Sequence, residues 1–447
     1  MTHPRDSLDL LADLIRSATS VGADAADAIL AGGTSVSVIR RLGETEKVER
    51  AEGLDLGLRV FMGRRQAIVS TSDTSPAALQ ELVERALAMV RSVPEDPYCG
   101  LAEPSLLATE VPDLDVDDGT EPAAELLIER ARTAEDSARA VTGVTNSEGA
   151  EAGFSRSTVA LAASNGFAET RTATMHSISA SVLAGQGSEM QRDYDYGSAV
   201  RGADLPAPEE IGRRAGERAV KRLKPRKAAS SQVPVVYEPR VAGSLLGHLS
   251  AAINGAAVAR GTTFLKDRLG TEVFGKGITI VDDPLRRRGL RSRAFDGEGV
   301  ATRRRAVVED GVLTTWILDL RSARQLKTAT TGHAVRGASS PPSPSPSNFY
   351  LEPGRVSPDA LIRDIGSGLY VTELIGFGVN GVTGDYSRGA AGFWIEDGTV
   401  AYPVSEITVA GNLKDMFLRM RPANDLQFRY GTDAPTLRID GMTVAGT

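Results

Sequence analysis

Histidine and cysteine, the residue types that most often hold zinc in enzymes, are scarce in this sequence. It contains four histidines, His3, His176, His248 and His333, and a single cysteine, Cys99. A catalytic zinc site usually takes three protein ligands, and two of them often come from one helix at a fixed spacing. No two of these histidines have such a spacing. We therefore predict no zinc site in this chain, unless residues far apart in sequence converge on one.

A glycine pattern near the C-terminus formally matches a dinucleotide fingerprint. Gly376, Gly378 and Gly381 have the GxGxxG spacing and follow the strand-like run LYVTELI. The chemistry of that motif needs a helix N-terminus directly after it to face the pyrophosphate. The chain instead continues as VTGDYSRGAAGFWIEDG, which is rich in glycine and then strand-like. The pattern therefore indicates tight turns and close backbone approach, as in a loop that lines a groove.

Two further patterns could support acid–base or nucleophilic chemistry. Asp282 and Asp283 form a carboxylate pair, and Asp296 and Glu298 follow. Adjacent side chains on a strand point to opposite faces, so Asp-Asp-Pro after ITIV is more typical of a strand exit and turn. Ser387 lies in a glycine-rich segment, but a nucleophilic serine needs a base, and no histidine is tied to it by a local signature.

The charge and hydropathy of the chain exclude some classes of protein. The formal net charge is −7 and the isoelectric point is near 5.4, which argues against binding nucleic acid by phosphate neutralisation. Arginines cluster at 286–293 and 303–305, where we predict solvated strand ends and hairpin loops. No apolar run approaches the roughly 18 residues that span a bilayer, and the N-terminal segment is acidic. We therefore expect a cytoplasmic protein without a membrane segment.

The first half of the chain alternates between helical and strand-like periodicity. Asn165-Gly166 is a strong hairpin signal within the strand region. The spacing of apolar residues predicts helices over 7–18, from Pro76 onward, over 121–140 and over 208–222, and strands over 34–41, 54–60, 66–70 and within 141–183.

The basic, polar segment 221–232 suggests a domain boundary. Beyond it we predict one amphipathic helix over 241–258 and short strands after residue 270. The run SSPPSPSPSN, residues 339–348, predicts an exposed extended loop because prolines lack a backbone donor. The fold class is α+β: an N-terminal α+β domain (1–225) with antiparallel strands and flanking helices, and a mostly-β C-terminal domain (226–447) with one amphipathic helix.

Several runs of sequence carry a family resemblance that spans nearly the whole chain. The longest is VNGVTGDYSRGAAGFWIEDGTVAYPVSEITVAGNLKDMF, residues 379–417; others lie at 54–73, 259–270, 329–337 and 347–354. With these runs the chain resembles the TldD/PmbA family. It is most similar to the PmbA (TldE) branch, whose members were once named modulators of DNA gyrase.

The resemblance implies a role in a two-protein metallopeptidase. In this family the TldD partner carries an HExxxH helix that binds zinc, and TldE is the subunit without that motif. The pair is associated with cleavage of unfolded peptides, such as microcin precursors and an antitoxin. Two histidines with an intervening glutamate would supply zinc ligands and a general base for a zinc-bound water.

The register of the resemblance places the lost motif on the predicted helix 241–258. Gly247 and Ala252 stand where the two histidines would be, and His248 stands where the glutamate would be. The family's further cysteine ligand is expected in the C-terminal half, whereas Cys99 lies in the N-terminal half. The resemblance therefore implies that this chain has no catalytic residues and binds no metal, and that zinc belongs to the TldD-type partner.

The leading hypothesis is a non-catalytic subunit that forms a heterodimer with a TldD-like protein. In this hypothesis the subunit lines a channel for extended peptides. Such peptides would add as a strand to a sheet edge. The alternative for the same loop is that its glycines only satisfy turn geometry. The candidate channel residues are Gly378, Gly381, Thr383, Asp385, Tyr386, Ser387 and Arg388.

Two other hypotheses stay open from the sequence. The chain could be a metallopeptidase by itself, as a monomer or homodimer with unconventional ligands. It could also be an interaction protein that modulates DNA gyrase without proteolysis. Metal content, peptide cleavage and the partner recovered on purification distinguish the three.

Overall fold

The computed structural model describes residues 4–446, with side chains from residue 6 onward. Helices and strands are mixed in both halves of the chain, so the predicted α+β class is confirmed. Within the described residues, no helix combines the length and hydropathy that crossing a bilayer requires.

The N-terminal half is one antiparallel sheet with four helices. Its strand order is β3-β2-β1-β4-β5-β6. The helices α1 and α2 pack against one end of the sheet, and α3 and α4 pack against the other. The elements are α1 (Pro4–Ser20), β1 (Ala25–Arg41), β2 (Glu44–Met62), β3 (Arg65–Thr71), α2 (Pro76–Ser92), α3 (Ala124–Arg139), β4 (Val144–Ala163), β5 (Ala168–Ala184), β6 (Gln191–Ala199) and α4 (Pro208–Lys221).

The strands of this sheet are longer than the sequence periodicity indicates. Strand β1 begins nine residues before the predicted segment 34–41. Its first part, from Ala26 to Leu30, is buried on both faces, so it lacks the polar–apolar alternation on which the prediction rested. The Asn165-Gly166 turn joins β4 to β5, as predicted.

The C-terminal half contains two larger sheets. The first sheet has the strand order β16-β15-β14-β7-β19-β17. Strand β16 also pairs with β19, and this pairing closes a barrel. The second sheet has the order β10-β9-β8-β13-β18. The elements are β7 (Ser231–Tyr237), α5 (Pro239–Ala252), α6 (Gly255–Ala259), β8 (Ile280–Asp282), β9 (Arg305–Glu309), β10 (Val312–Leu313), α7 (Leu320–Gln325), β11 (Ala334–Val335), β12 (Ser343–Pro344), β13 (Phe349–Leu351), α8 (Pro358–Ile362), β14 (Ser367–Ile375), β15 (Asp385–Glu396), β16 (Thr399–Asn412), α9 (Leu413–Leu418), β17 (Met420–Pro422), β18 (Thr432–Asp433) and β19 (Leu437–Ala445).

Helix α5 lies in the main core of this half. Leu245, Leu246 and Leu249 are fully buried there with residues of both sheets. The prediction of one continuous helix over 241–258 is wrong, because Asn254 separates α5 from α6. The Asn254 side chain accepts the backbone N–H of Ala256 as an N-cap, and its amide donates to a carbonyl of the proline-rich segment. The further short helices α7, α8 and α9 were also not predicted.

The proline-rich segment is not an exposed loop over its whole length, so that prediction is corrected. Residues 339–343 are mostly exposed, whereas Ser347 and Asn348 are buried. The cause is the buried Asp282 carboxylate, which accepts the backbone N–H of Ser347 at 2.6 Å and its hydroxyl at 2.7 Å. His333 Nε2 lies 3.0 Å from the same carboxylate. A buried carboxylate requires such partners, and this one draws the end of the segment inward.

Buried ion pairs join the two halves of the chain. Arg240, at the start of α5, places Nη1 2.7 Å from a carboxylate oxygen of Asp193 on β6. The same guanidinium donates to the carbonyls of Tyr194 and Thr372. The side chains of Arg240 and Asp193 are 3% and 2% exposed, so water does not screen this contact.

Candidate functional site

The three positions of the degenerate zinc motif have different surroundings on α5. Gly247 is exposed, and an added Cβ atom would meet no atom within 4 Å. Ala252 is buried at the C-terminal end of the helix, and its carbonyl accepts the Thr263 hydroxyl at 2.6 Å. His248 is half-buried between them. Two of the three positions carry no ligand atom in a side chain, so this helix does not fit a zinc ion.

His248 faces residues of the predicted channel loop. Its ring lies edge-on to Tyr386, with 5.9 Å between the ring centroids. Burial lowers the pKa of His248, and the positive charge of Arg388 lowers it further. Within the described residues, His248 Nε2 has no hydrogen-bond partner. The imidazole is therefore a neutral group between α5 and β15 at neutral pH.

The glycines of segment 376–384 serve a tight backbone turn. Gly376 and Gly384 have φ angles of +79° and +87°, which glycine adopts without strain. At Gly378 an added Cβ would lie 2.0 Å from the carbonyl oxygen of Ser387, whose own N–H donates to the Gly378 carbonyl. Strand β15 begins at Asp385, so no helix follows the glycines. The segment therefore lacks the helix N-terminus of a dinucleotide site.

The start of β15 is hydrogen-bonded on both of its edges. On one side Asp385 and Arg388 pair with Asn412 and Val409 of β16. On the other side the backbone N–H of Asn380 donates to the carbonyl of Asp385 at 2.9 Å. An extended peptide consequently finds no free backbone ladder at these residues. Strand addition would have to use another sheet edge, while this segment can offer side chains.

Polar side chains fix the turn before β15. The Thr383 hydroxyl donates to one oxygen of Asp385 at 2.6 Å, and the Asn412 amide donates to the other at 3.0 Å. These two hydrogen bonds lower the pKa of the exposed Asp385 carboxyl. Ser387 is exposed on the same strand, and no histidine of the described residues is hydrogen-bonded to it. A serine nucleophile activated by histidine is therefore not formed here.

The structure brings the motif helix and the channel loop together. The backbone N–H of Phe264 donates to the carbonyl of Gly381 at 3.0 Å, next to the contact between Thr263 and Ala252. These links and the contact of His248 with Tyr386 bring α5 and the predicted channel loop together, with Ala252 and Tyr386 buried and Gly247 exposed. The sequence register alone did not indicate that they would meet.

An exposed apolar patch, the loop tip, is formed by Ile375, Phe377 and Val382. Phe377 is 98% exposed, and the other two side chains are more than half exposed. Clustered exposed apolar side chains mark interaction sites more often than scattered ones do. The loop tip lies on the same segment as the glycine turn.

The remaining histidines are at separate places. His176 Nε2 lies 3.0 Å from a carboxylate oxygen of Asp118, and burial lowers the pKa of His176. His333 is paired with Asp282, as described above, and His3 lies outside the described residues. Across residues 4–446, no cluster of three or more histidine, cysteine, aspartate or glutamate side chains is arranged to hold a metal ion.

A buried charge cluster between the halves was not predicted. Asp27 of β1 forms ion pairs with Arg59 of β2 and with Arg336, and Arg59 Nη1 lies 3.9 Å from Glu298. Asp296 is buried beside Glu298. The sequence did hold a signal, because Asp27 and Arg59 interrupt otherwise apolar runs of a strand. The carboxylates Asp296 and Glu298 therefore belong to an interior network rather than to an open acid–base site.

Family models match three consecutive parts of the chain. They describe PmbA/TldA metallopeptidase domain 1 (residues 26–90), the central domain (117–223) and the C-terminal domain (230–446). The chain is 39% identical over 425 residues to "Metalloprotease PmbA" of Escherichia coli O157:H7, which covers 95% of this chain and 92% of that protein. It is 36% identical to a PmbA homologue of Haemophilus influenzae, covering 96% and 94%.

Solved structures show the same architecture. A protein of Bacteroides thetaiotaomicron described as a modulator of DNA gyrase superimposes with a TM-score of 0.90 at 27% identity, over 98% of both chains. TldE of Thermococcus kodakarensis shares the fold, with a TM-score of 0.88 at 21% identity over 98% of this chain and 100% of that chain. Together with the sequence relatives, these matches establish that the chain belongs to the PmbA/TldE family of metallopeptidase-related proteins.

Proposed function

We propose that this chain is the non-catalytic subunit of a two-protein zinc peptidase that acts on unfolded peptides in the cytoplasm. The observation that carries the proposal is the degenerate helix α5, where Gly247 and Ala252 occupy the ligand positions. The helix keeps its packing, while His248 is the one imidazole among the three motif positions and cannot hold a zinc ion alone. That combination favours a scaffold role, in which the zinc ion resides on a TldD-like partner.

The loop tip is the part of the chain that we assign to the partner and the channel. Three exposed apolar side chains on a backbone fixed by hydrogen bonds suit a contact surface, because little conformational freedom is lost on binding. The polar residues Thr383, Asp385, Ser387 and Arg388 lie beside the loop tip. We assign them, with Gly378, Gly381 and Tyr386, to the channel wall.

The proposal predicts that activity requires both chains. This chain and the TldD-like protein of the same organism are purified separately and mixed, and zinc content and cleavage of an unfolded peptide are measured for each sample. We expect zinc in the partner and not in this chain, with cleavage raised at least tenfold on mixing. Stoichiometric zinc and cleavage with this chain alone would instead support a stand-alone peptidase. An unchanged partner activity would contradict the subunit role.

Replacing Phe377 with serine is expected to weaken association with the TldD-like partner by about tenfold to a hundredfold. Burying a phenylalanine side chain contributes about 1.5–3 kcal/mol, and Phe377 touches little in the free chain. Calorimetric titration of the partner measures the dissociation constant. The matched control is Leu126→Ser, an exposed apolar residue on α3, which should leave it unchanged. Equal affinity of the Phe377 variant and the wild type would exclude the loop tip from the interface.

A non-proteolytic role remains the second candidate, because a structural relative is described as a modulator of DNA gyrase. The two candidates differ in the partner recovered from cells. Affinity purification under native conditions should recover the TldD-like protein if the subunit proposal holds. Recovery of gyrase without that protein would favour the second candidate.

A further inference from the structure

A cavity of about 680 Å³ lies between the sheet of the N-terminal half and the C-terminal half. Its walls come from the connection 111–116, from strands β4 and β5, and from segments 290–295 and 345–346. Ligand pockets have volumes of about 300–1,000 Å³, so this cavity is large enough for a small molecule or the end of a peptide. It is lined by none of the residues of the loop tip or of α5.

Two arginines of this cavity lack a full set of partners. Arg171 of β5 lines the cavity, is exposed there, and makes no hydrogen bond or ion pair with any described residue. Arg293 is 8% exposed; its Nη2 donates to the Ser345 carbonyl, whereas its Nε has no acceptor in the described part of the chain. The prediction that this arginine cluster is solvated is therefore wrong for Arg293. Both guanidinium groups remain charged at neutral pH.

The nearest buried carboxylates are already occupied by other donors. The oxygens of Asp296 accept the backbone N–H groups of Glu298, Val300 and Ala334. Those of Asp282 accept Ser347 and face His333.

Asp113 also lines the cavity, but one of its oxygens accepts a backbone N–H and it forms no ion pair of 4 Å or less with Arg171. A charge removed from water without a counter-ion is unfavourable. Of the two arginines only Arg293 is buried, so an anion that enters the cavity would supply its missing counter-charge, and the exposed Arg171 adds a second positive charge.

The rest of the wall is apolar and limits the kind of anion. Leu114, Val116, Val159 and Phe295 line the cavity beside the two guanidinium groups. Arginine donates bidentately to carboxylate and to phosphate, but Asp113 would repel the second negative charge of a phosphate group. A carboxylate matches the planar donor pair of arginine, and an apolar body would fill the remaining volume.

We propose that this cavity binds the C-terminal carboxylate of a peptide whose last side chain is apolar. The choice of a peptide as the ligand rests on the proposed function; the site itself rests on the two arginines and the apolar wall. A bound C-terminus would hold one end of an unfolded chain while the remainder extends toward the partner subunit.

The test compares two forms of one peptide on the full chain without the partner. The probe is a heptapeptide with a fluorophore at its N-terminus and leucine at its C-terminus, as free acid and as amide. We expect the acid to bind at least tenfold more tightly, because the amide loses the charge-assisted hydrogen bonds. Arg171→Gln should abolish the difference, and Arg171→Lys should retain part of it. Arg85→Gln, an exposed arginine on α2, is the matched control and should bind like the wild type.

Equal affinities of acid and amide would overturn the proposal. An acid preference that survives Arg171→Gln would place the carboxylate elsewhere and overturn it as well. Inorganic phosphate is added as a competitor; displacement that depends on Arg171, without an acid preference, would assign the cavity to phosphate instead. Since these measurements use binding to one chain, they are independent of whether mixing with a TldD-like protein produces cleavage. Either proposal can therefore fail while the other stands.

Discussion

Arg240→Met is expected to lower the free energy of unfolding by about 3–5 kcal/mol, because it leaves a buried aspartate short of its main partner. Arg240 contacts Asp193 and the backbone carbonyls of Tyr194 and Thr372, and the side chains of the ion pair are buried. Burial by itself raises the pKa of Asp193, but the charge and hydrogen bond of Arg240, the backbone N–H of Tyr194 and the charge of Arg222 together lower it below its ordinary value, so the carboxylate is held ionised. With methionine, the remaining arginine near Asp193 is Arg222, at 3.4 Å.

The measurement is urea unfolding followed by two probes. Both tryptophans, Trp316 and Trp394, lie in the C-terminal half, so their fluorescence reports on that half, while far-ultraviolet circular dichroism reports on both. We expect a lower urea midpoint for the variant. The transitions followed by fluorescence and by circular dichroism should also separate, because a buried contact between the two halves is lost. Arg213→Met removes an exposed pair on α4 and should change the stability by less than about 1 kcal/mol. If both variants unfold alike, the buried pair does not hold the halves together.

Glu298→Gln is expected to remove a pH dependence of stability. Burial, followed by the negative charge of Asp296, raises the pKa of Glu298 from 4.5 to about 8. Between these two values the folded chain retains a proton that the unfolded chain releases. The unfolding free energy should therefore fall as pH rises from 4.5 to 8, by up to about 1.4 kcal/mol per pH unit. Below pH 4.5 and above pH 8, Glu298 does not make the unfolding free energy depend on pH.

The check is a series of urea unfolding curves of the wild type and the variant between pH 5 and 9. The difference between their free energies should change steadily up to pH 8 and then level off. Glu309→Gln, at an exposed position on β9, is the control and should give a constant difference from the wild type. A flat difference for Glu298→Gln would show that the carboxyl is already ionised in the folded chain at pH 5.

The sequence predicts the amphipathic parts of the fold well and its interior poorly. The helices α1, α2, α3 and α4 were placed within a few residues, because each has one apolar and one polar face. The first part of β1 was missed because burial on both faces removes the alternation. The break at Asn254 was missed because its cap depends on a partner from the distant segment 343–344.

The sequence likewise predicts some features of the candidate site and misses others. Gly247, His248 and Ala252 could be placed on one helix by resemblance, and the glycine turn after Ile375 could be recognised from composition. The meeting of His248 with Tyr386 depends on the pairing of β15 in the barrel, which no local pattern encodes. The cavity with Arg171 and Arg293 combines four segments that are distant in the sequence, so periodicity could not indicate it.

The contrast between Gly247 and Ala252 determines how readily α5 could gain a metal site. A histidine introduced at Gly247 would meet no obstacle, since the space beside it is open. At Ala252 the methyl group faces the core and the helix ends, so an imidazole would require the surrounding side chains to repack. Acquiring an HExxxH helix would therefore need coordinated changes in the core as well as at the three positions. Because the core encloses Ala252, no single substitution turns α5 into a metal-binding helix.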